Sequence, residues 1–428
     1  MRVSLKLVST LIGNAVPLIA IVGGFPWLHR ELGTAGFGFF MAGWGSLGYT
    51  SVLDLGLGRT ITHYTALHSK SGSHEDLLLA NAAFAFLLLL GLAVTTLLSA
   101  AWFCYGRVKG LSFGNVSYVA WAPLILCVPL ATATSGIRGA IEGNGRLVTA
   151  ALLRAVSGPL HVLLPMAFVA HSATVVAVAM GFASSRFVVL GLYWVTQKAR
   201  SPILKPAFWL RPTGSMFRRV LAYSSWVGVS NVVGTAIAYM DRIILPLGAG
   251  LSEFAFYATP FEIGSRLLVI PGSIVTVIFP SLSRVKDEPA EIRVVVRDAY
   301  ISCAILMIPA ALVILVCGGA LLDWWMGHAF ALRSVAILQV IAVGVVFNAL
   351  AHIPFAAIQA MGCPQVAAVI QIAEFLPTIL LFYTLIQFYG AIGAAMGWAT
   401  RSFLDFAIMH VAYTTVIRRL SASKSRQI

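Results

Sequence analysis

Long apolar runs divided by short polar breaks fill the chain from end to end. Crossing roughly 30 Å of hydrocarbon takes about 20 mostly apolar residues. Read with a window of that length, the sequence gives twelve candidate spans: 7–28, 34–54, 77–105, 116–137, 147–170, 173–196, 219–245, 252–282, 298–322, 334–360, 366–388 and 391–417. A backbone in lipid must satisfy its own hydrogen bonds, so each run is expected to be a helix. The expected fold is an all-α polytopic membrane protein with about 12 transmembrane helices. The tightest breaks are His171-Ser172 and Pro246-Leu-Gly-Ala-Gly250. The first run, Leu7 to Leu28, is too long for a signal-peptide core and lacks a small-residue exit, so it is read as a retained helix.

Composition agrees. Of 428 residues 59% are hydrophobic and 10% charged, against roughly 25% charged in a soluble domain. A soluble enzyme is excluded. With the N-terminus inside, 20 of the 29 Lys and Arg residues fall on the cytoplasmic side, five on the other side and four within spans. That bias places both termini in the cytoplasm and accounts for most of the net charge of +14 without nucleic acid. The external loops are short, which leaves no room for an external catalytic domain. The five cysteines lie in or beside apolar runs without a CxxC, so they read as buried thiols. His63, His68 and His74 read as a solvated cytoplasmic loop, and His161, His352 and His410 as hydrogen-bonded helix contacts. No phosphate loop, metal motif or nucleophile elbow occurs, so neither a metal nor a cofactor is expected.

The longest hydrophilic stretch, Thr196 to Arg219, is basic and carries Pro202, Pro206 and Pro212. It divides the chain into a six-helix lobe over 1–196, a cytoplasmic linker over 197–218 and a second six-helix lobe over 219–428. Two short matches suggest a repeat. Leu53-Asp-Leu-Gly-Leu-Gly-Arg59 resembles Phe261-Glu-Ile-Gly-Ser-Arg266 at an offset of 208, and Ala140-Ile-Glu-Gly-Asn-Gly145 resembles Ala357-Ile-Gln-Ala-Met-Gly362 at an offset of 217. Six spans per half is an even number, so the halves point the same way, related by a parallel pseudo-two-fold axis. Gly393-xxx-Gly397 reads as a helix-contact motif.

Ionisable residues at membrane depth are costly unless they face a partner, water or a ligand. Arg154, Arg186, Arg266 and Arg401 fall inside spans. Glu262 precedes Arg266 by four residues and Asp405 follows Arg401 by four, spacings at which either pair can neutralise itself. Arg154 and Arg186 have no acid within a turn; they either answer acids on other helices, such as Glu374 or Asp54, or await an anion. Arginine suits phosphate because its planar fork binds two oxygens and keeps its charge. Asp241-Arg242 reads as a gate or a local ion pair.

Several of these segments resemble the Wzx-type O-antigen and polysaccharide flippases of the multidrug/oligosaccharidyl-lipid/polysaccharide exporter superfamily. They are Leu53-Asp-Leu-Gly-Leu-Gly-Arg59, and Met240-Asp-Arg-Ile-Ile-Leu245 through Tyr257 and Phe261-Glu262 to Ile270-Pro-Gly-Ser273 and Phe279-Pro280. The resemblance implies a monomeric bacterial inner-membrane flippase with a central cationic cavity. Its substrate would be an undecaprenyl-diphosphate-linked oligosaccharide, moved to the periplasmic leaflet by alternating access. It further implies membrane lipid as surroundings and polysaccharide polymerase machinery as a candidate partner. The implied substrate-binding positions are Arg154, Arg186, Arg266 and Arg401, with Asp54, Arg59, Asp241, Arg242, Glu262, Glu374 and Asp405 as cavity, gate or ion-pair candidates. A cation-coupled multidrug antiporter of the same superfamily, a lipid II flippase and a membrane-embedded glycosyltransferase are the alternatives. The first expects an unpaired acid early in the chain, the second two more spans, and the third a catalytic carboxylate pair.

Overall fold

The computed structural model describes the backbone of residues 2–53, 57–109, 112–113, 116–198, 233–234, 236–285 and 288–425, with side chains over slightly narrower limits. Asp54 and most of the seventh expected span lie outside the described residues. Helix accounts for nearly all of the described chain. The helices are α1 (Arg2–Leu53), α2 (Leu57–Ser71), α3 (His74–Lys109), α4 (Ala122–Gly143), α5 (Leu147–His171), α6 (Val175–Lys198), α7 (Asp241–Gly248), α8 (Leu251–Ser265), α9 (Val269–Arg284), α10 (Pro289–Met326), α11 (His328–Ala360) and α12 (Pro364–Ser425). A two-residue antiparallel ladder, β1 (Ser112–Phe113) against β2 (Val116–Ser117), sits in the connection from α3 to α4. That connection ends in a 3-10 turn over Tyr118–Trp121, so the fourth apolar run becomes α-helical only from Ala122. Among the described residues, eight helical stretches are long and apolar enough to cross a membrane. The chain folds as two compact units, Met1–Tyr239 and Met240–Ile428.

Two of the helices are hairpins. In α1, Gly33 leaves helical geometry (φ 66°, ψ 177°). Phe25 before it and Trp44 after it meet with ring centroids 5.8 Å apart. A straight helix would separate them by roughly 28 Å at 1.5 Å per residue, so the chain reverses at Gly33. In α12 the break is Gly390 (φ 59°, ψ −132°). There Gly393 abuts the Leu385 carbonyl, and a Cβ on Gly397 would stand 3.1 Å from the Phe382 ring. The Gly393-xxx-Gly397 motif therefore packs one arm of the hairpin on the other. Each hairpin covers two of the expected spans.

The stretch after the second span was expected to be a solvated loop, and most of it is the helix α2. Leu57, Ile61 and Thr65 recur every fourth residue and are buried, while Arg59 and Lys70 stay exposed. A Cβ on Gly139 would stand 2.5 Å from the Gly58 carbonyl oxygen, and one on Gly143 would stand 2.6 Å from that of Thr62. Two glycines four apart on α4 thus let the α2 backbone cross in contact. In lipid, helices associate chiefly through such close packing, because tails offer no hydrophobic drive between them. Leu57 and Ile61 join Phe84, Ile137, Val189 and Tyr193 in the core of the first unit.

One of the two sequence matches reappears as matched geometry. After α4, Gly145 N–H donates to Glu142 O (3.0 Å) and Arg146 N–H to Ile141 O (3.2 Å). After α11, Gly362 N–H donates to Gln359 O (3.0 Å) and Cys363 N–H to Ile358 O (3.1 Å). Both are Schellman turns closed by a positive-φ glycine, 73° at Gly145 and 80° at Gly362. The offset of 217 also pairs Gly33 with Gly250, another positive-φ turn. Beyond each of these, Phe37, Phe39, Phe40 and Trp44 correspond to Phe254, Phe256, Tyr257 and Phe261. The match of Asp54 with Glu262, at 208, does not share this register.

Candidate functional site

The four intramembrane arginines occupy four different environments. Arg154, on α5, reaches back across the α4–α5 turn to Glu142, with Nη2 3.5 Å from Oε1, and its side chain is half exposed. Among the described residues its acid is Glu142 of α4, twelve positions earlier and on another helix. Arg266 lies in a 3-10 turn over Arg266–Leu268, between α8 and α9. Its Nη2 donates to Glu262 Oε2 at 2.8 Å, the self-neutralised pair that the spacing allowed.

Arg401 behaves otherwise. It makes no ion pair with Asp405 one turn along, and its Nε is fully enclosed without a hydrogen-bond partner. Glu374 Oε1 is likewise enclosed and unpartnered. Glu374, Arg401 and Asp405 lie within electrostatic reach of one another, and His352 within reach of Asp405. The His352 Nδ1–H donates to Asn348 O of its own helix at 2.8 Å, whereas His410 Nδ1 lies 3.1 Å from the Tyr300 hydroxyl and is a contact between helices.

Arg186 is the most isolated. It sits mid-way along α6, is 8% exposed, and makes no hydrogen bond or ion pair among the described residues. Cys127 of α4 and His161 of α5 lie within its electrostatic reach. The Cys127 thiol is already committed to Pro123 O at 3.3 Å. His161, also buried, bonds through Nδ1 to Ser185 Oγ at 2.8 Å. A guanidinium enclosed in apolar helices without a counter-ion is expensive to hold, and among the described residues α6 holds one.

In the second unit Asp241 begins α7 fully buried. Its Oδ2 accepts from the Tyr257 hydroxyl at 2.5 Å and lies 3.3 Å from Arg242 Nη1. The Arg242 guanidinium stacks 4.4 Å over the Phe261 ring, which meets Trp398 edge-on at 5.2 Å. In the register of 217, these positions match Gly24, Phe25, Phe40 and Trp44 of the first unit. There Phe25 packs on Phe40 and Trp44 at 5.5 and 5.8 Å. Aromatic rings thus close the hairpin at Gly33, and an Asp–Arg–Tyr cluster joins α7 to α8 across the turn at Gly250. Tyr257 was not singled out as a site residue from the sequence; its hydroxyl in place of the matching Phe40 is the signal that would have found it. Arg59 is exposed on α2. Among the described residues no group of three or more His, Cys, Asp or Glu side chains is placed to hold a metal.

The family described as "Polysaccharide biosynthesis protein" matches residues 3–286, well over half the chain. The chain belongs to that family. A relative from Shigella flexneri named "Putative O-antigen transporter" is 29% identical over 409 residues, covering 94% of this chain and 96% of its own. A second, "Probable flippase AglR" of Haloferax volcanii, is 23% identical over 264 residues, covering 61% of this chain and 54% of its own. Among solved structures, an inward-facing multidrug resistance MATE family transporter of the MOP superfamily superposes with a TM-score of 0.80 at 13% identity, covering 96% of this chain and 99% of its own. At that identity the likeness establishes the fold. This member of the polysaccharide biosynthesis family is a multi-pass membrane protein with a MATE-like transporter fold.

Proposed function

We propose that this chain is a flippase for a lipid-linked saccharide, with an undecaprenyl-diphosphate-linked oligosaccharide as substrate. It would carry the saccharide from the cytoplasmic to the periplasmic leaflet of a bacterial inner membrane by alternating access. Twelve spans in two six-helix lobes, with both termini cytoplasmic, fit the hydropathy and the positive-inside bias. Family membership and the names of the two relatives support the flippase reading. The observation that carries the anionic part of it is Arg186, buried, cationic and without a counter-ion among the described residues. A diphosphate cannot enter hydrocarbon bare, and an arginine already stripped of water offers it two directed N–H donors. Arg401, with its enclosed Nε, is the second candidate. Arg154 and Arg266 are answered by carboxylates, so each would have to exchange its partner for a phosphate. An inside-negative potential favours outward movement of an anion by about 2.3 kcal/mol per charge per 100 mV.

Complementation of a polysaccharide-deficient bacterium tests this reading at matched expression. Wild type should restore surface polysaccharide, Arg186→Ala should not, and Arg186→Lys should restore part. Full rescue by Arg186→Ala would remove Arg186 from the path. Drug efflux by the wild type without any polysaccharide rescue would overturn the flippase reading.

A further inference from the structure

His161 is the second titratable residue beside Arg186, and a role for it rests on the reading that Arg186 meets an anion. Ser185, next in sequence to Arg186, is fully buried and spends its single hydroxyl hydrogen on Phe182 O at 2.7 Å. Toward His161 it can therefore only accept, which fixes the proton of the imidazole on Nδ1 and leaves Nε2 as a lone pair. The groups packed around His161 do not supply a negative charge. From α6 come Arg186 and Ser185; from α4, Cys127, whose thiol is spent on Pro123 O. From α1, Pro17 packs on Gly158, and Gly24 packs on Val162, beside His161. Among the described residues the cluster thus holds one fixed cation, one imidazole with an unused nitrogen and no acid. An anion arriving at Arg186 would bring the first negative charge within reach of that ring.

We propose that His161 takes up a proton as a phosphate-bearing lipid docks at Arg186, so that anion binding at this site is coupled to proton binding. The diphosphate then meets two cations, and the imidazolium Nε2–H becomes a donor. The proton comes from solvent and returns when the anion leaves, and no covalent bond changes. Ser185 is a positioning residue: it holds the ring so that Nε2 is the nitrogen left to protonate. One proton bound with each anion implies that affinity falls by about tenfold per pH unit wherever the free ring is neutral and the docked ring is charged.

The test is calorimetry on the full chain in lipid nanodiscs, with farnesyl diphosphate as probe. Titrations run between pH 7.5 and 8.5 in buffers of different ionisation enthalpy, which count the protons taken up per ligand. Wild type should take up close to one more proton than His161→Asn, and its affinity should fall with pH while that of the variant stays flat. Ser185→Ala keeps the imidazole and should retain uptake with a shifted pH dependence, giving a second reading if His161→Asn folds poorly. Equal proton counts in wild type and His161→Asn, with both binding, would overturn the coupling and leave the Arg186 reading standing. Unchanged binding by Arg186→Ala would instead overturn the site itself.

Discussion

Replacing Tyr257 with Phe isolates one hydrogen bond in the second unit. Tyr257 is fully buried, and its hydroxyl is the closest group to Asp241, whose side chain is 1% exposed. Loss of a hydrogen bond to a buried charge costs roughly 1.5–3 kcal/mol in soluble proteins. Interhelical polar pairs measured in membranes average about 0.6 and reach about 1.7 kcal/mol. Arg242, at 3.3–3.4 Å, still faces the carboxylate and offsets part of the loss. We therefore expect about 1–2 kcal/mol. Tyr257→Phe only removes the hydroxyl, so it introduces no clash in the buried site. The assay is reversible unfolding in mixed micelles, run as a double-mutant cycle with Asp241→Asn. A coupling of about 1 kcal/mol is expected, since the substitutions share one bond. A Tyr257→Phe variant as stable as wild type, with coupling near zero, would show that the pair is adjacent without being bonded.

Three further outcomes follow from local geometry. Gly393→Ala should abolish the monodisperse peak of solubilised protein on size exclusion, because its Cβ would run into the Leu385 carbonyl; Gly191→Ala, with nothing near its Cβ, should leave that peak intact. Arg154→Ala should change unfolding stability by less than about 1 kcal/mol, since its partner is 3.5 Å away and its side chain is half exposed. His29, in the turn between the arms of α1, has its pKa lowered from 6.5 by burial. The unfolded chain therefore binds that proton first, and stability present above pH 6.5 is lost as pH falls below it; His29→Gln should flatten the limb between pH 6.5 and 5 in unfolding measurements.

The all-helical, membrane-spanning character was legible because hydrophobic length is a one-dimensional property. The self-neutralised Glu262–Arg266 pair was legible too, since i,i+4 spacing on one helix fixes a face. Arg154–Glu142 was not: it depends on how α4 and α5 meet after their turn, which spacing along either helix does not encode. The same holds for His161 and Ser185, 24 residues apart on facing helices. The loop expected around His63 became α2 because Leu57, Ile61 and Thr65 line one face, a pattern hidden among charges and histidines. Of the two sequence matches, the one at Gly145 and Gly362 was legible as a pair of like turns. The hairpin pairing shows only once Gly33 and Gly250 are aligned and the aromatic positions that follow are compared.

The matched turns at Gly145 and Gly362 make the protein its own experimental control. Each glycine ends a helix with the same bonds, stands at nearly the same φ and has open space around its Cβ. Alanine at either place should therefore incur the same backbone strain, roughly 1–2 kcal/mol. Whatever the two variants do differently to saccharide export then reports the separate duties of the halves, with the chemistry of the substitution cancelled out.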